Sequence, residues 1–276
     1  MSQKTSIEWT DTTWNPVRGC SRISEGCRNC YAEQIAARFS GRGGPFQYFA
    51  DRFQPGSKWT GKVELIESKL QEPLHWRKPR KVFVNSMSDL FHENLPDEAI
   101  DRIFAVMALC PQHTFQVLTK RAKRMRRYFA GPVRNRVTDT MNVMPAHAYT
   151  VLQPWPLPNV WLGVSIESRA HLDRADWLHQ TSAAIRFLSL EPLLEDLDGI
   201  SGYLRGIDWV IAGGESGPGA RLNDPAWFRS IRDQCQAARI PFFFKQWGGV
   251  HKKDTGAILD GREWREFPRA SRSARS

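Results

Sequence analysis

Short apolar runs that stop in hydroxyls and charges, each followed by a stretch of helical period, recur along this chain. The runs cover residues 81–86, 113–119, 160–166, 185–190, 207–212 and 241–245. They are near-continuous in Val, Ile, Leu and aromatic residues, the pattern of strands buried on both faces. Residues 96–110 carry Ile100, Ile103, Phe104, Met107 and Ala108 at helical spacing and open on Pro96-Asp97. Residues 121–129, 171–180 and 225–239 also read as helices. Strands alternating with helices build a parallel sheet with right-handed crossovers. A doubly wound open sheet is the second choice, because no Gly-rich phosphate fingerprint follows the first strand. The expectation is an α/β fold, a partial or irregular (β/α) barrel of parallel strands.

The 276 residues, 41% of them hydrophobic, are enough for one such barrel and its core. The reading is a single barrel-like domain over 1–250 with insertions near 40–60 and 130–158, then a basic, partly disordered tail over 251–276. The first strand is expected at 6–9 and a helix at 31–39. A Gly/Pro-rich, aromatic loop or lid follows at 40–60, and a helix-like segment at 65–76. Residues 130–158 hold five prolines and show no clear period.

Three of the five cysteines fall within eleven residues: Cys20, Cys27 and Cys30, spaced C-x6-C-x2-C. An odd trio leaves one thiol over, so disulfides explain it poorly and a shared metal centre explains it better. Gly19 and Gly26 allow the backbone to wrap such a centre. The helix that begins at Tyr31 turns its N–H groups towards the thiolates. Zinc would want a fourth protein ligand, and the next His after the loop is His75. A 4Fe–4S cluster on three cysteines keeps one iron open. That arrangement resembles the radical S-adenosylmethionine (SAM) enzymes, whose usual spacing is C-x3-C-x2-C. Here the second gap matches, the first is longer, and Asn29 stands where an aromatic residue is usual. A zinc-stapled loop with a remote fourth ligand is the other reading. Cys110 and Cys235 lie in apolar helical patterns and read as core residues.

The functional face of a (β/α) barrel lies at the C-terminal strand ends. Those ends read Asn85-Ser-Met-Ser-Asp89, Thr119-Lys-Arg121, Ser165-Ile-Glu167, Ser189-Leu-Glu-Pro192, Gly213-Gly-Glu-Ser-Gly217 and Lys245-Gln-Trp247. Six polar ends in one series look like a lined cavity, although loops also begin polar in its absence. The candidate cofactor-binding residues are Ser86, Ser88, Asp89, Lys120, Ser165, Glu167, Glu191, Gly213, Gly214, Glu215 and Lys245. Glu167 and Glu191 would hold ribose hydroxyls or an amine. Lys120, Arg121 and Lys245 would pair with a carboxylate or phosphate, and Gly213 and Gly214 would let backbone approach a ligand closely. For any one charge a structural salt bridge is an equal alternative.

Lys+Arg 39 against Asp+Glu 29 gives a net charge of +10, which favours an anionic partner. The basic stretches are Arg77-Lys-Pro-Arg-Lys81, Lys120-Arg-Ala-Lys-Arg-Met-Arg-Arg127 and the C-terminal arginines. The middle one lacks interleaved acids and reads as a nucleic-acid rim or as a solvated helix face. Eleven tryptophans are expected mostly in the core, with a few as platforms for a flat substrate. One tight cysteine cluster without a signal-like N-terminus fits a cytoplasmic setting, and no apolar run is long enough to span a membrane.

The chain as a whole resembles a phage and bacterial family described as radical-SAM-like. The resemblance rests on T-x-x-T-W-N-P-x-x-G-C (Thr10 to Cys20), G-C-x-x-C-Y-A (Gly26 to Ala32), V-N-S-M-S-D-L-F (Val84 to Phe91), L-T-K-R (Leu118 to Arg121), L-G-V-S-I-E (Leu162 to Glu167), S-L-E-P-L-L (Ser189 to Leu194), G-G-E-S-G (Gly213 to Gly217) and F-K-Q-W-G (Phe244 to Gly248). It implies a barrel of the radical SAM type, a 4Fe–4S cluster on Cys20, Cys27 and Cys30, bound SAM and an external electron donor. In radical SAM enzymes a Gly-Gly-Glu segment after the second strand binds the SAM amino group, and by position the stretch from Ser86 to Asp89 is its counterpart. The resemblance implies no substrate. A nucleotide or nucleic acid is the expected one by charge, and a metal-stabilised nucleic-acid-binding protein without catalysis is the rival.

Overall fold

The computed structural model describes residues 5–144, 154–250 and 255–269. Seven parallel strands form one curled half-barrel sheet in the order β1-β4-β5-β6-β7-β8-β9. They are β1 (Thr12–Trp14), β4 (Lys81–Val84), β5 (Thr114–Thr119), β6 (Val160–Ser165), β7 (Ile185–Leu190), β8 (Trp209–Gly213) and β9 (Phe242–Gln246). The order follows the chain without reversal, so right-handed crossovers put every connecting helix on the same, convex face. A doubly wound sheet would reverse at its middle, and this one does not. The expected partial barrel is therefore what forms.

The helices are α1 (Tyr31–Arg38), α2 (Glu67–Leu70), α3 (Asp97–Leu109), α4 (Ala122–Phe129), α5 (Val133–Val143), α6 (Asp173–His179) and α7 (Pro225–Ala237). A two-stranded ribbon of β2 (Val17–Arg18) and β3 (Glu64–Leu65) carries the chain into the cysteine loop. A small hairpin, β10 (Ile258–Leu259) and β11 (Arg262–Glu263), lies near the end. Just after it, the Trp264 carbonyl accepts the Phe244 N–H, which covers the free edge of β9. No helix among the described residues is long and apolar enough to cross a membrane.

Side chains alternate across the sheet, as the two-residue strand period requires. Val82, Val84, Leu162, Val164, Val210 and Ala212 share one core with Ile100, Ile103, Phe228 and Ile231 of the helices. The opposite, concave face holds Phe83, Trp161, Phe187, Trp209 and Phe243, and Trp9 joins them. Trp209 is fully buried and touches the rings of Trp9, Trp161, Phe187, Phe243 and Phe267. A half-barrel has no eighth strand to close it, and this aromatic plug fills the interior instead.

Several local expectations need correction. The first strand is Thr12–Trp14, while Trp9 belongs to the plug. The 65–76 segment breaks into α2 and a 3-10 turn at Glu72–His75, where Pro73 interrupts the backbone hydrogen-bond ladder. Part of the 130–158 insertion is helix α5, which buries Val133, Val137 and Met141 at every fourth position. The part of that insertion over 145–153 lies outside the described residues, as do 251–254 and 270–276 of the tail.

Truncation of Trp209 to Ala is expected to cost about 3–5 kcal/mol, the usual range for a fully buried Trp. Urea unfolding monitored by far-UV circular dichroism measures it, and a loss below about 1 kcal/mol would mean the plug does not support the sheet.

Candidate active site

The aromatic plug and the polar strand ends lie on the same face of each strand. Counting every second residue gives Trp161, Gly163, Ser165 and Glu167 along β6 and beyond it. It gives Ile185, Phe187, Ser189 and Glu191 along β7, and Trp209, Ile211, Gly213 and Glu215 along β8. The concave face thus passes from aromatic to hydroxyl to carboxylate towards the C-terminal mouth, where the cysteine loop lies.

The loop follows β2 and is shaped by one sharp backbone constraint. Gly19 has φ +93°, and a Cβ there would sit 1.9 Å from the Lys62 carbonyl oxygen, so no other residue fits. Cys20, Cys27 and Cys30 are free, half-buried thiols. Cys20 and Cys30 pack with Phe46 and Met87 against Ala32, Ala36, Ala50 and Trp59. Burial pushes the Cys20 thiol up to about 12; Asp89 and the other two cysteines push the same way, and Arg121 opposes them. Burial also pushes Cys30 up, offset by the N–H groups of Glu33 and Ala32 at the start of α1 and by Lys120. The three thiols are therefore within electrostatic reach of one another. Among the described residues, no three His, Cys, Asp or Glu side chains converge tightly enough to hold one metal ion.

Most of the acidic strand-end residues grip this loop. Asp89, after β4, accepts from the Thr119 hydroxyl at 2.7 Å and from Arg121 Nη1 at 3.2 Å. Buried Arg121 then donates to the Ser21 carbonyl at 3.0 Å and reaches Cys20 Sγ at 3.9 Å. Glu167, after β6, is completely buried; it accepts from Arg174 at 2.8 Å and from the Gly26 N–H at 3.3 Å. Glu215, after β8, accepts from Arg221 Nε and from Asn29 Nδ2, each at 2.9 Å. Arg221 also donates to the Glu25 carbonyl at 3.0 Å. From α1, buried Glu33 accepts from Arg22 at 2.7 Å.

These contacts set the carboxyl ionisation. Burial opposes ionisation of Glu167, but Lys120, Arg174, Ser24 and His171 outweigh it and hold the group below its ordinary range. Glu215 is likewise held low: burial opposes its ionisation, while Arg221 and Asn29 prevail.

The predicted site residues therefore divide into two sets. Ser88 donates to the Val17 carbonyl at 3.0 Å and Ser86 to Asn15 Oδ1 at 3.2 Å, so both hold the strand that leads into the loop. Asp89, Glu167 and Glu215 clamp the loop itself, and Arg121 is committed to Asp89, Glu93 and Ser21. The Ser165 carbonyl accepts from Arg174 at 2.7 Å. A Cβ on Gly214 would lie 1.9 Å from the Trp247 carbonyl oxygen, and one on Gly213 would lie 2.7 Å from Glu191 Oε1. Neither position has room for a side chain, so glycine is needed at both for packing against Glu191 and Trp247.

The residues left facing the mouth are Lys120, which acts electrostatically on both Glu167 and Cys30, and a half-buried pair, Lys245 Nζ to Glu191 Oε1 at 3.1 Å, with Ser189 donating to that carboxylate at 3.2 Å. Cys110 and Cys235 are buried in the helical core, and burial pushes both thiols up to about 12. The basic rim over 120–127 is less free than its sequence implies. Arg121 is buried, Arg124 pairs with Asp97, and Lys123 and Arg127 are the exposed charges of α4. Sequence reasoning missed Arg174, Arg221, Asn29 and Glu33. The two arginines follow their carboxylates by seven and six residues, a spacing visible in the chain.

Fold and mouth together define a parallel α/β half-barrel with a three-thiol loop at the C-terminal ends of its strands. The chain belongs to the family described as "Protein of unknown function (DUF5131)", whose model matches residues 4–268. No curated protein matches it. Among solved structures it is similar to spore photoproduct lyase complexed with dinucleoside spore photoproduct, with TM-score 0.46 and 10% identity over 85% of this chain and 63% of that one. It is similar also to a mutant of that lyase with bound AdoMet and dinucleoside spore photoproduct, with TM-score 0.45, 10% identity and the same coverage. The chain thus spans just under two thirds of the length of the lyase chains it matches.

Replacing Glu167 with Ala leaves Arg174 buried without its partner and is expected to cost about 3–5 kcal/mol in urea unfolding. Acid should also weaken the fold. The stabilisation from Glu167 and Glu215 is complete above the ordinary glutamate value of about 4.3 and is lost as pH falls through their lower folded values. Urea midpoints between pH 7 and 3 should fall less steeply for Glu215→Gln than for the parent. Parallel curves would show that the Glu215 charge stabilises nothing.

Proposed function

We propose that this protein is a radical SAM enzyme that acts on a nucleotide or nucleic acid. The observation that carries the proposal is the set of three free thiols, clamped by strand-end carboxylates at the polar mouth of the half-barrel and accompanied by Lys120 and Arg121.

The donor set fits a 4Fe–4S cluster. Thiols raised by burial are poor free nucleophiles, whereas a metal centre ionises them outright. The cations near Cys20 and Cys30 and the start of α1 then stabilise the thiolates. A single zinc ion would draw its sulfurs to about 3.8 Å from one another, given Zn–S of about 2.3 Å in a tetrahedron. A cluster binds each thiolate through a different iron, so it does not require the three sulfurs to meet at one ion. Cys20, Cys27 and Cys30 would hold the cluster. Bound there with SAM on its open iron, it would supply one electron that splits SAM into methionine and a 5′-deoxyadenosyl radical, and an external donor would restore that electron.

The chain's own residues orient and enclose. Lys120 and the pair Lys245–Glu191 offer an ammonium, a second ammonium and a carboxylate to the carboxylate, amine and hydroxyl groups of a ligand in the mouth. The aromatic plug below excludes water from that end of the barrel. The net charge of +10 supports an anionic, phosphate-bearing substrate.

Anaerobic reconstitution should give a brown protein with about four irons per chain. Replacing Cys20, Cys27 or Cys30 with Ala should abolish iron retention, while Cys110→Ala and Cys235→Ala retain it. A colourless protein that takes up one tight zinc and no iron would favour the metal-stapled binding protein instead, and equal iron loss from Cys110→Ala would mean that a fourth ligand exists.

A further inference from the structure

Residues 38–62 combine positive charge, exposed rings and contact with the cysteine loop. They contain five Lys or Arg, one acidic residue (Asp51) and six aromatic residues. Three of the rings stand in solvent: Phe39 is 49% exposed, Tyr48 69% and Phe53 80%. Each has a cation beside it. Arg38 lies 5.7 Å from the Phe39 centroid, Lys62 5.9 Å from Tyr48 and Arg52 4.7 Å from Phe53.

The other side of the segment is tied down. Phe46 and Trp59 pack with Cys20 and Cys30. Buried Glu33 accepts from the Ser57 hydroxyl at 2.7 Å and the Trp59 N–H at 3.2 Å. The Lys62 carbonyl closes over Gly19. The rings are thus presented from a fixed base next to the three thiols.

We infer that this segment is a docking surface for single-stranded nucleic acid. Exposed rings stack unpaired bases whatever their sequence, and the cations beside them meet the phosphates. A duplex keeps its bases stacked on one another and offers the rings little. An apolar protein partner would have to strip water from a cation beside each ring. The inference rests on the nucleic-acid part of the proposed function. It places the strand over the cysteine loop, so that a base displaced from the rings enters the mouth, and it assigns α4 a smaller share.

Fluorescence anisotropy with a labelled oligo-dT of about 16 nucleotides, the upper end of single-strand site sizes, tests it across a salt series. Tyr48→Ala with Phe53→Ala should weaken binding about tenfold or more at fixed salt and leave the salt slope in place. Arg38→Gln with Arg52→Gln should lower the slope of log affinity against log salt by about 1.4, at about 0.7 per phosphate contact. Lys123→Gln with Arg127→Gln on α4 should weaken binding less than either of these variants does. Iron retention at the parent level in every variant would show the loop intact. The inference is overturned if the parent does not bind oligo-dT, if the ring variant binds like the parent, if a dT·dA duplex binds more tightly than the single strand, or if the loss falls on the α4 variant alone. Failure to take up iron would sink the proposed chemistry, while the oligonucleotide titrations would still decide the surface.

Discussion

Three buried or half-buried carboxylate–arginine pairs hold the cysteine loop in place, and the site depends on them. A loop of twelve residues, Gly19 to Cys30, with two glycines has little intrinsic stability, since fixing each residue costs about 1–2 kcal/mol of backbone entropy. The Asp89–Arg121, Glu167–Arg174 and Glu215–Arg221 pairs reach it at Ser21, Gly26 and Asn29 in turn. Each carboxylate comes from a different strand end, so the loop is fixed along its length and from several sides of the mouth. A buried ion pair adds little net stability where an apolar pair would serve. Here the pairs leave oxygen and nitrogen atoms to spare, and those atoms bond the loop's backbone and Asn29. An apolar substitute could not do that.

The half-barrel turns one surface to two uses. Below, the concave face is aromatic and dry; above, it carries hydroxyls, carboxylates and lysines. The period of the strands forces these layers into register, because residues two apart share a face. Once Trp161, Phe187 and Trp209 are committed to the plug, Glu167, Glu191 and Glu215 must come out on the same side at the mouth. Packing at one end of the sheet thereby positions polar groups at the other.

Much of this was legible in the sequence, and the remainder failed for identifiable reasons. The later strands, 160–165 through 242–246, fall within two residues of the apolar runs because they are buried on both faces. The first strand was misplaced because three residues, Thr12–Trp14, carry no periodic signal, while Ile7 and Trp9 mimic one from the plug. Helix α5 escaped because its buried stripe is a single residue wide. The strand-end residues Asp89, Glu167 and Glu215 each form a salt bridge with an arginine and reach the cysteine loop, contacts that the sequence did not show. Their arginines are local in sequence; their targets in the loop lie far away, and no pattern in one chain connects residue 29 to residue 215.

That distance bears on how the molecule is made. Asn29 bonds Glu215 and Gly219 across 186 and 190 residues, and Gly26 bonds Glu167 across 141. A ribosome adding about 5–20 residues each second would extend the thiol loop well before it makes these clamps, leaving it unsecured for roughly 10–40 s. During that interval the three cysteines stand on a growing polypeptide without the clamps from Glu167 and Glu215. A cofactor that needs the clamped geometry therefore has to be delivered after residues 215–221 have been made, so the order of synthesis sets the order of assembly.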